Sequence, residues 1–226
     1  MKARGGIKVK GEDGVMIVGW AGDGGTLTLA FRHSRASLRG GPRCSLHHVR
    51  QRGLHEHWNP EVKFNPPLRS MDDQHPPGGK RHFLEKRHKK KVIDIVIAHE
   101  IPYAATASVA YPEDFIRKLK TAQKTPGPSF IQLFAPPCPT GWRSPTDKSI
   151  EIARLAVQTA YFPLFEYKEG KYRINMPNPK KEPKPIEEFL KLQGRFKYMT
   201  KEDIQVLQEW VLREWEKLKK LAEVFG

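Results

Sequence analysis

GVMIVGWAGDGGT, residues 14–26, decides how the rest of this sequence is read. Val15, Met16, Ile17 and Val18 form an unbroken apolar run, and Gly19, Gly22, Gly24 and Gly25 close it around Asp23. An apolar run without alternation, ended by glycines, predicts a buried parallel strand that delivers a turn. Glycines let the backbone approach a ligand closely, and Asp23 puts a hard oxygen donor at the tip. Ligand-free tight turns use the same residues, so a plain turn and a phosphate or metal site both stay open at this point.

Outward from that stretch, 226 residues suit one domain or two small ones. The formal charge of +15 and a pI near 9.8 would suit an anionic partner. In the C-terminal half Lys and Glu interleave, which predicts a solvated surface instead. That richness also suits a heat-adapted protein. Neither a signal peptide nor a long apolar run is present, so the chain is expected to be soluble and cytoplasmic, without a membrane partner. Cys44 and Cys138 are too few for a disulfide framework.

Residues 1–13 are basic and Gly-rich, more like a tail than a domain start. From Leu27 to Pro77 Arg replaces Lys, and six of the nine histidines gather (His33, His47, His48, His55, His57 and His75). Neither a period of 2 nor of 3.6 is sustained there, so the segment is expected to be irregular. Ordinary globular text returns at Gly78. Residues 92–99 are β-branched enough for a strand, yet their place before Ile101–Ala107 allows a helix feeding a short strand. Pro112 opens a helix with Glu113 and Asp114 in its first turn and Phe115, Leu119 and Ala122 on one face. Pro126-Gly127-Pro128 stops it, and Ser129–Phe134 follows as a buried strand. Asp147 or Ser149 starts a helix to about Thr159. Alternating helix and strand predict an α/β fold, a mostly parallel sheet with flanking helices. Glu166–Pro185 is expected to be a polar, Pro-rich surface excursion. Thr200 to Asp203 is a capping-box-like start for a long helix over about 201–223, with Ile204, Leu207, Val211, Trp215 and Leu218 facing the body or a partner subunit. The organisation expected is an incomplete α/β domain over 1–165 and a C-terminal extension over 166–226.

Particular stretches carry a family resemblance: Gly78–Phe83, IPYAATASVAYPEDFIRKLK (101–120), CPTGWRSPTDKSIEIARLA (138–156), KPIEEFLKLQGRFKYMT (184–200) and the opening KVKGEDGVMIVGWAGDGGT (8–26). There the chain resembles the β subunit of archaeal 2-oxoacid:ferredoxin oxidoreductases. It looks most like the branched-chain (2-oxoisovalerate) enzymes, with the pyruvate enzymes as close relatives. The resemblance implies a thiamine diphosphate-binding fold, Mg²⁺, [4Fe-4S] clusters, and conversion of a 2-oxoacid and coenzyme A to acyl-CoA and CO₂ with electrons passed to ferredoxin. It implies α, γ and δ partner subunits. It assigns Mg²⁺ to Asp23 and the diphosphate to Gly22, Gly24, Gly25 and Thr26. Cys138 corresponds to one inherited cluster ligand, and no side chain of this chain is assigned as catalytic. The difficult chemistry would belong to the cofactor.

The family text breaks between residues 27 and 77. A downstream DNEAYMNTG motif, whose asparagine shares the Mg²⁺, is replaced by VRQRGLHEHW (49–58), with Gln51 at the asparagine's place. Back-translated with permissible codons and read one base over, that segment spells YDNEAYMNT. Leu27–Ala30 and Asn59–Met71 respond in the same way. Residues 27 to about 77 are therefore expected to be a frameshifted translation. Cys44, His47, His48, His55 and His57 look like a crowded zinc site, but under that reading they are accidental codons, and the arginines form no nucleic-acid patch. The family's N-terminal portion with its C-x-x-C ligands is expected to be missing. A cubane wants four thiolates, and Pro136-Pro137 adds a proline beside the one matching cysteine. An inactive product and a basic nucleic-acid- or metal-binding module are the competing readings.

Overall fold

The structure is a computed structural model that describes residues 7–11, 14–21, 44–50, 91–135, 142–197 and 199–226. Its centre is a seven-stranded sheet: β1 (Ile7–Gly11), β2 (Gly14–Ala21), β3 (Cys44–Arg50), β4 (Tyr103–Ser108), β5 (Ser129–Phe134), β6 (Leu164–Lys168) and β7 (Lys171–Met176). Across the sheet the order is β1-β2-β3-β5-β4-β6-β7. The four central strands β2, β3, β5 and β4 run parallel, and both margins are antiparallel. The helices are α1 (Val92–Ile97), α2 (Pro112–Lys124), α3 (Ser149–Gln158), α4 (Ile186–Lys191) and α5 (Lys201–Val224).

Alternation along β4 and β5 sorts the core. Tyr103, Ala105, Ala107, Ile131 and Leu133 face α2, where Ala122 is buried and Phe115 and Leu119 pack as the sequence predicts. Ala104, Phe130 and Phe134 face the other way, into a cluster built with α1, α3, α4 and α5. Small alanines on β4 let helices come close on both faces. α2 begins at Pro112 with Glu113 and Asp114 in its first turn. It ends before Gly127, whose φ of +96° favours glycine and where an added Cβ would lie 3.0 Å from Pro102 Cγ. α5 carries the capping box: Thr200 Oγ1 accepts from Asp203 N–H, and the Asp203 carboxylate accepts from Thr200 N–H. Its expected apolar face is buried at Leu207, Val211, Trp215 and Leu218, so the helix docks on the body.

The structure differs from the sequence reading at several places. Ile7–Gly11, expected as a tail, is an edge strand paired antiparallel with β2. Within 27–77, expected to be irregular, Cys44–Arg50 forms β3 between β2 and β5. That slot offers unpaired backbone groups from both neighbours, and any extended chain that fills it gains two ladders of hydrogen bonds regardless of its side chains. Residues 92–97 take the helical alternative. The expected excursion from Glu166 begins with a hairpin, β6–β7, turned by Glu169 (φ 49°) and Gly170 (φ 89°). Two positive φ values in a two-residue loop match the twist of the strands.

Candidate functional site

The candidate site is one end of the sheet. Parallel pairing brings Ala21 level with His48, and Arg50, Phe134 and Ser108 level with one another. The chain therefore leaves β2, β3, β5 and β4 at the same edge, where open α/β sheets bind their ligands. Gly22, Asp23, Gly24, Gly25 and Thr26 follow immediately after β2, and Gln51 immediately after the adjacent β3. Cys138 follows β5 by four residues. All seven of these residues lie outside the described ones, so only their points of departure are on view. Those points of departure, the ends of β2 and β3, lie on neighbouring parallel strands.

The described part of this edge is aromatic. The Phe134 ring, at the last position of β5, lies 6.5 Å from Trp142 and 5.1 Å from Phe162. Trp142 in turn meets Phe189 edge-on at 6.5 Å. The Arg195 guanidinium sits 3.6 Å from the Trp142 ring centroid, and Gln193 Oε1 accepts from its Nε and Nη2. Sequence reasoning did not single out Gln193 or Arg195. Both lie in the KLQGRFKYMT stretch that carried the resemblance, but no spacing signalled their contact with residues fifty positions away.

A second polar cluster was also missed. Lys118 is fully buried and donates to Asp114 Oδ2 at 2.5 Å and to Thr106 O at 2.8 Å. Arg117 bridges Asp114 Oδ1 and Glu166 Oε1, each at 2.6 Å. Tyr103 and Asn175 also donate to Glu166. Burial pulls the Lys118 ammonium below its ordinary value, against the opposing pull of Asp114. Burial, aided by the Glu166 charge, pushes the Tyr103 phenol up. Two anions face two cations, so the cluster is internally neutral and staples α2 to the β6–β7 hairpin. A groove of about 940 Å³ opens beside it, lined by Arg117, Glu166, Lys168, Lys171, Arg173 and Lys219 among others. Lys168 pairs with Tyr103, the first residue of β4, so this groove is at the opposite end of the sheet from the ends of β2, β3, β5 and β4.

Among the described residues no group of three or more His, Cys, Asp or Glu is placed to hold a metal ion. No described helix is long and apolar enough to cross a membrane. No protein-family model matches the chain. The ketoisovalerate oxidoreductase subunit VorB of Pyrococcus abyssi is 72% identical over 228 residues, covering 98% of this chain and 70% of the relative. Its Pyrococcus furiosus counterpart is 70% identical over the same coverage. The pyruvate synthase subunit PorB of Methanocaldococcus jannaschii is 38% identical over 197 residues, 87% of this chain and 64% of the relative.

The chain belongs to the β-subunit family of 2-oxoacid:ferredoxin oxidoreductases. That is a family of oxidoreductase subunits, each part of a larger enzyme. Membership explains why so much text after residue 78 builds a sheet and its covering helices while the described residues carry no catalytic constellation.

Proposed function

We propose that this chain is the cofactor-binding β subunit of a branched-chain 2-oxoacid:ferredoxin oxidoreductase of the cytoplasm. The observation that carries the reading is that β2, which the glycine-flanked Asp23 sequence directly follows, pairs in parallel with β3. Asp23 would supply one Mg²⁺ oxygen, and the backbone of Gly22, Gly24 and Gly25 would approach the diphosphate, with Thr26 in hydrogen-bonding reach. When bound, thiamine diphosphate supplies the carbon nucleophile for decarboxylation of the 2-oxoacid. The donor set of this chain fits half of the Mg²⁺ site: a carboxylate on one loop, and Gln51 in place of an asparagine on the other. It does not fit a complete [4Fe-4S] cluster, because two cysteines stand against four required thiolates. Cys138 is one ligand position of such a cluster. The α, γ and δ subunits, coenzyme A and ferredoxin complete the reaction. The 70–72% identity to VorB proteins, against 34–44% to PorB proteins, favours branched-chain acids over pyruvate as substrate.

We further infer that residues 27 to about 77 are translated one base out of frame. Strand pairing at β3 is compatible with this, because backbone hydrogen bonds tolerate exchanged side chains. An uninterrupted reading frame through this segment, matched by peptide masses, would defeat the idea. The cofactor reading is tested by titrating thiamine diphosphate with Mg²⁺ and following tryptophan fluorescence. Saturable binding, weakened on the order of 10–100-fold in Asp23→Asn as metal-site losses are, supports it. No binding by a chain with its frame restored refutes it.

A further inference from the structure

β7 has a neighbouring strand on one side only. The groove beside the Arg117–Glu166 cluster is lined by residues of α2, which covers one face of the sheet, and by Ala222 and Glu223 of α5, which packs on the other. It therefore runs along the outer edge of β7. Tyr172 N–H turns away from β6 and donates to Phe225 O at 2.8 Å. Outward-facing backbone groups recur at every second residue of an antiparallel strand, so Ile174 carries the next pair. Its N–H and carbonyl have no partner on this side among the described residues, and Ile174 lines the groove. Phe225 thus begins a line of pairing along this edge that no described residue continues.

The side chains of β7 sort by face. Arg173 lies opposite Glu166 and Lys171 opposite Lys168, on the α2 side. Tyr172 and Ile174 pack against the larger core, on the α5 side. Glu166 is already engaged by Arg117, Tyr103 and Asn175. Lys168, Lys171, Arg173 and Lys180 line the groove without an ion-pair partner among the described residues. Against them stand only two further side-chain carboxylates of the lining, Glu169 and Glu223.

We propose that this groove receives an extended segment of a partner protein in which acidic and apolar residues alternate, added to the sheet beside β7. The acidic residues fall on the α2 side, against Lys171 and Arg173, and the apolar ones beside Ile174. In strand addition the main-chain bonds give affinity and the alternate side chains give specificity. Opposite charges facing each other across a strand pair stabilise it. A second copy of this chain does not fit. Pairing two β7 strands antiparallel through their outward groups sets Lys171 and Arg173 of both copies on one face, cation against cation. That repulsion keeps the bare edge from pairing with itself. The inference is independent of the cofactor reading, which concerns the other end of the sheet.

The test is fluorescence anisotropy of a short fluorescein-labelled peptide alternating Glu and Val, titrated with the full chain at low salt. Two controls accompany it: a peptide alternating Lys and Val, and the Glu/Val peptide N-methylated throughout, which keeps its charges but has no N–H to donate. Saturable binding is expected for the Glu/Val peptide alone. At saturation, amide exchange at Ile174 should slow by about tenfold while Arg173, whose N–H faces β6, is unchanged. Lys171→Glu combined with Arg173→Glu should weaken binding by about tenfold, because two attractive cross-strand pairs become repulsive. Both side chains are exposed, and the N-methylated control carries the test if that variant does not fold. Absence of saturable binding up to about 1 mM overturns the proposal. So does equal binding by either control peptide or by the variant, or binding that leaves Ile174 exchange unchanged. Ile174 protection that grows with chain concentration in the absence of peptide would show a second copy at this edge, and would equally overturn it.

Discussion

Removing one partner of the buried ion pair should cost far more than removing both. Lys118 Nζ is sealed from solvent, and its two acceptors are the Asp114 carboxylate and the Thr106 carbonyl. Asp114→Ala leaves that ammonium in the core without its directly paired carboxylate. Breaking a buried pair in this way costs about 3–5 kcal/mol. At roughly 2–4 °C per kcal/mol for a chain of this size, the melting temperature falls by about 6–20 °C. Lys118→Met keeps the packed stem and leaves Asp114 paired with Arg117, so its cost is that of one orphaned carbonyl, about 1–3 kcal/mol. The distinguishing result is the double variant. Adding Lys118→Met to Asp114→Ala removes the stranded charge and should restore stability, with a coupling of about 0.5–3 kcal/mol. Guanidinium unfolding followed by near-UV circular dichroism measures all three. A double variant less stable than Asp114→Ala alone would refute the account of an internally neutral staple.

Two further outcomes follow from the same body. The Tyr103 phenol titrates higher in the folded chain than in the unfolded one, so its contribution to stability is complete below about pH 10 and is lost as pH rises toward the folded value, with a slope of about 1.4 kcal/mol per pH unit. Tyr103→Phe should flatten that alkaline loss, and urea unfolding between pH 9 and 11 measures it. Thr200→Ala removes the side-chain half of the α5 capping box and should destabilise by about 0.5–2 kcal/mol. Amide exchange should then report faster exchange at Asp203 than at Leu218, since fraying starts from the uncapped end.

Legibility followed the range of the forces involved. α2 could be read because its start, its stop and its apolar face are all local: Pro112, Pro126 and the Phe115–Leu119–Ala122 spacing. α5 could be read for the same reason, from Thr200 and Asp203 onward. The Glu169-Gly170 turn was equally local and was passed over, because proline-rich text downstream made the whole stretch look like a loop. β3 could not be read, since its reason for being a strand is the vacancy between β2 and β5 and not its own pattern.

By itself, the sequence determined the α/β class, the strand over residues 14–21, the family, and the long capped helix at 201–224. Only the tertiary structure decided that β3 lies between β2 and β5. Only it put Lys118 out of reach of water, where an Asp–Lys spacing of four reads on paper as an exposed helix pair. Only it set Arg195 against Trp142. In each case the deciding contact joins residues far apart in the chain. Its energy comes from desolvation and backbone pairing between elements, and those terms exist only once the elements have met.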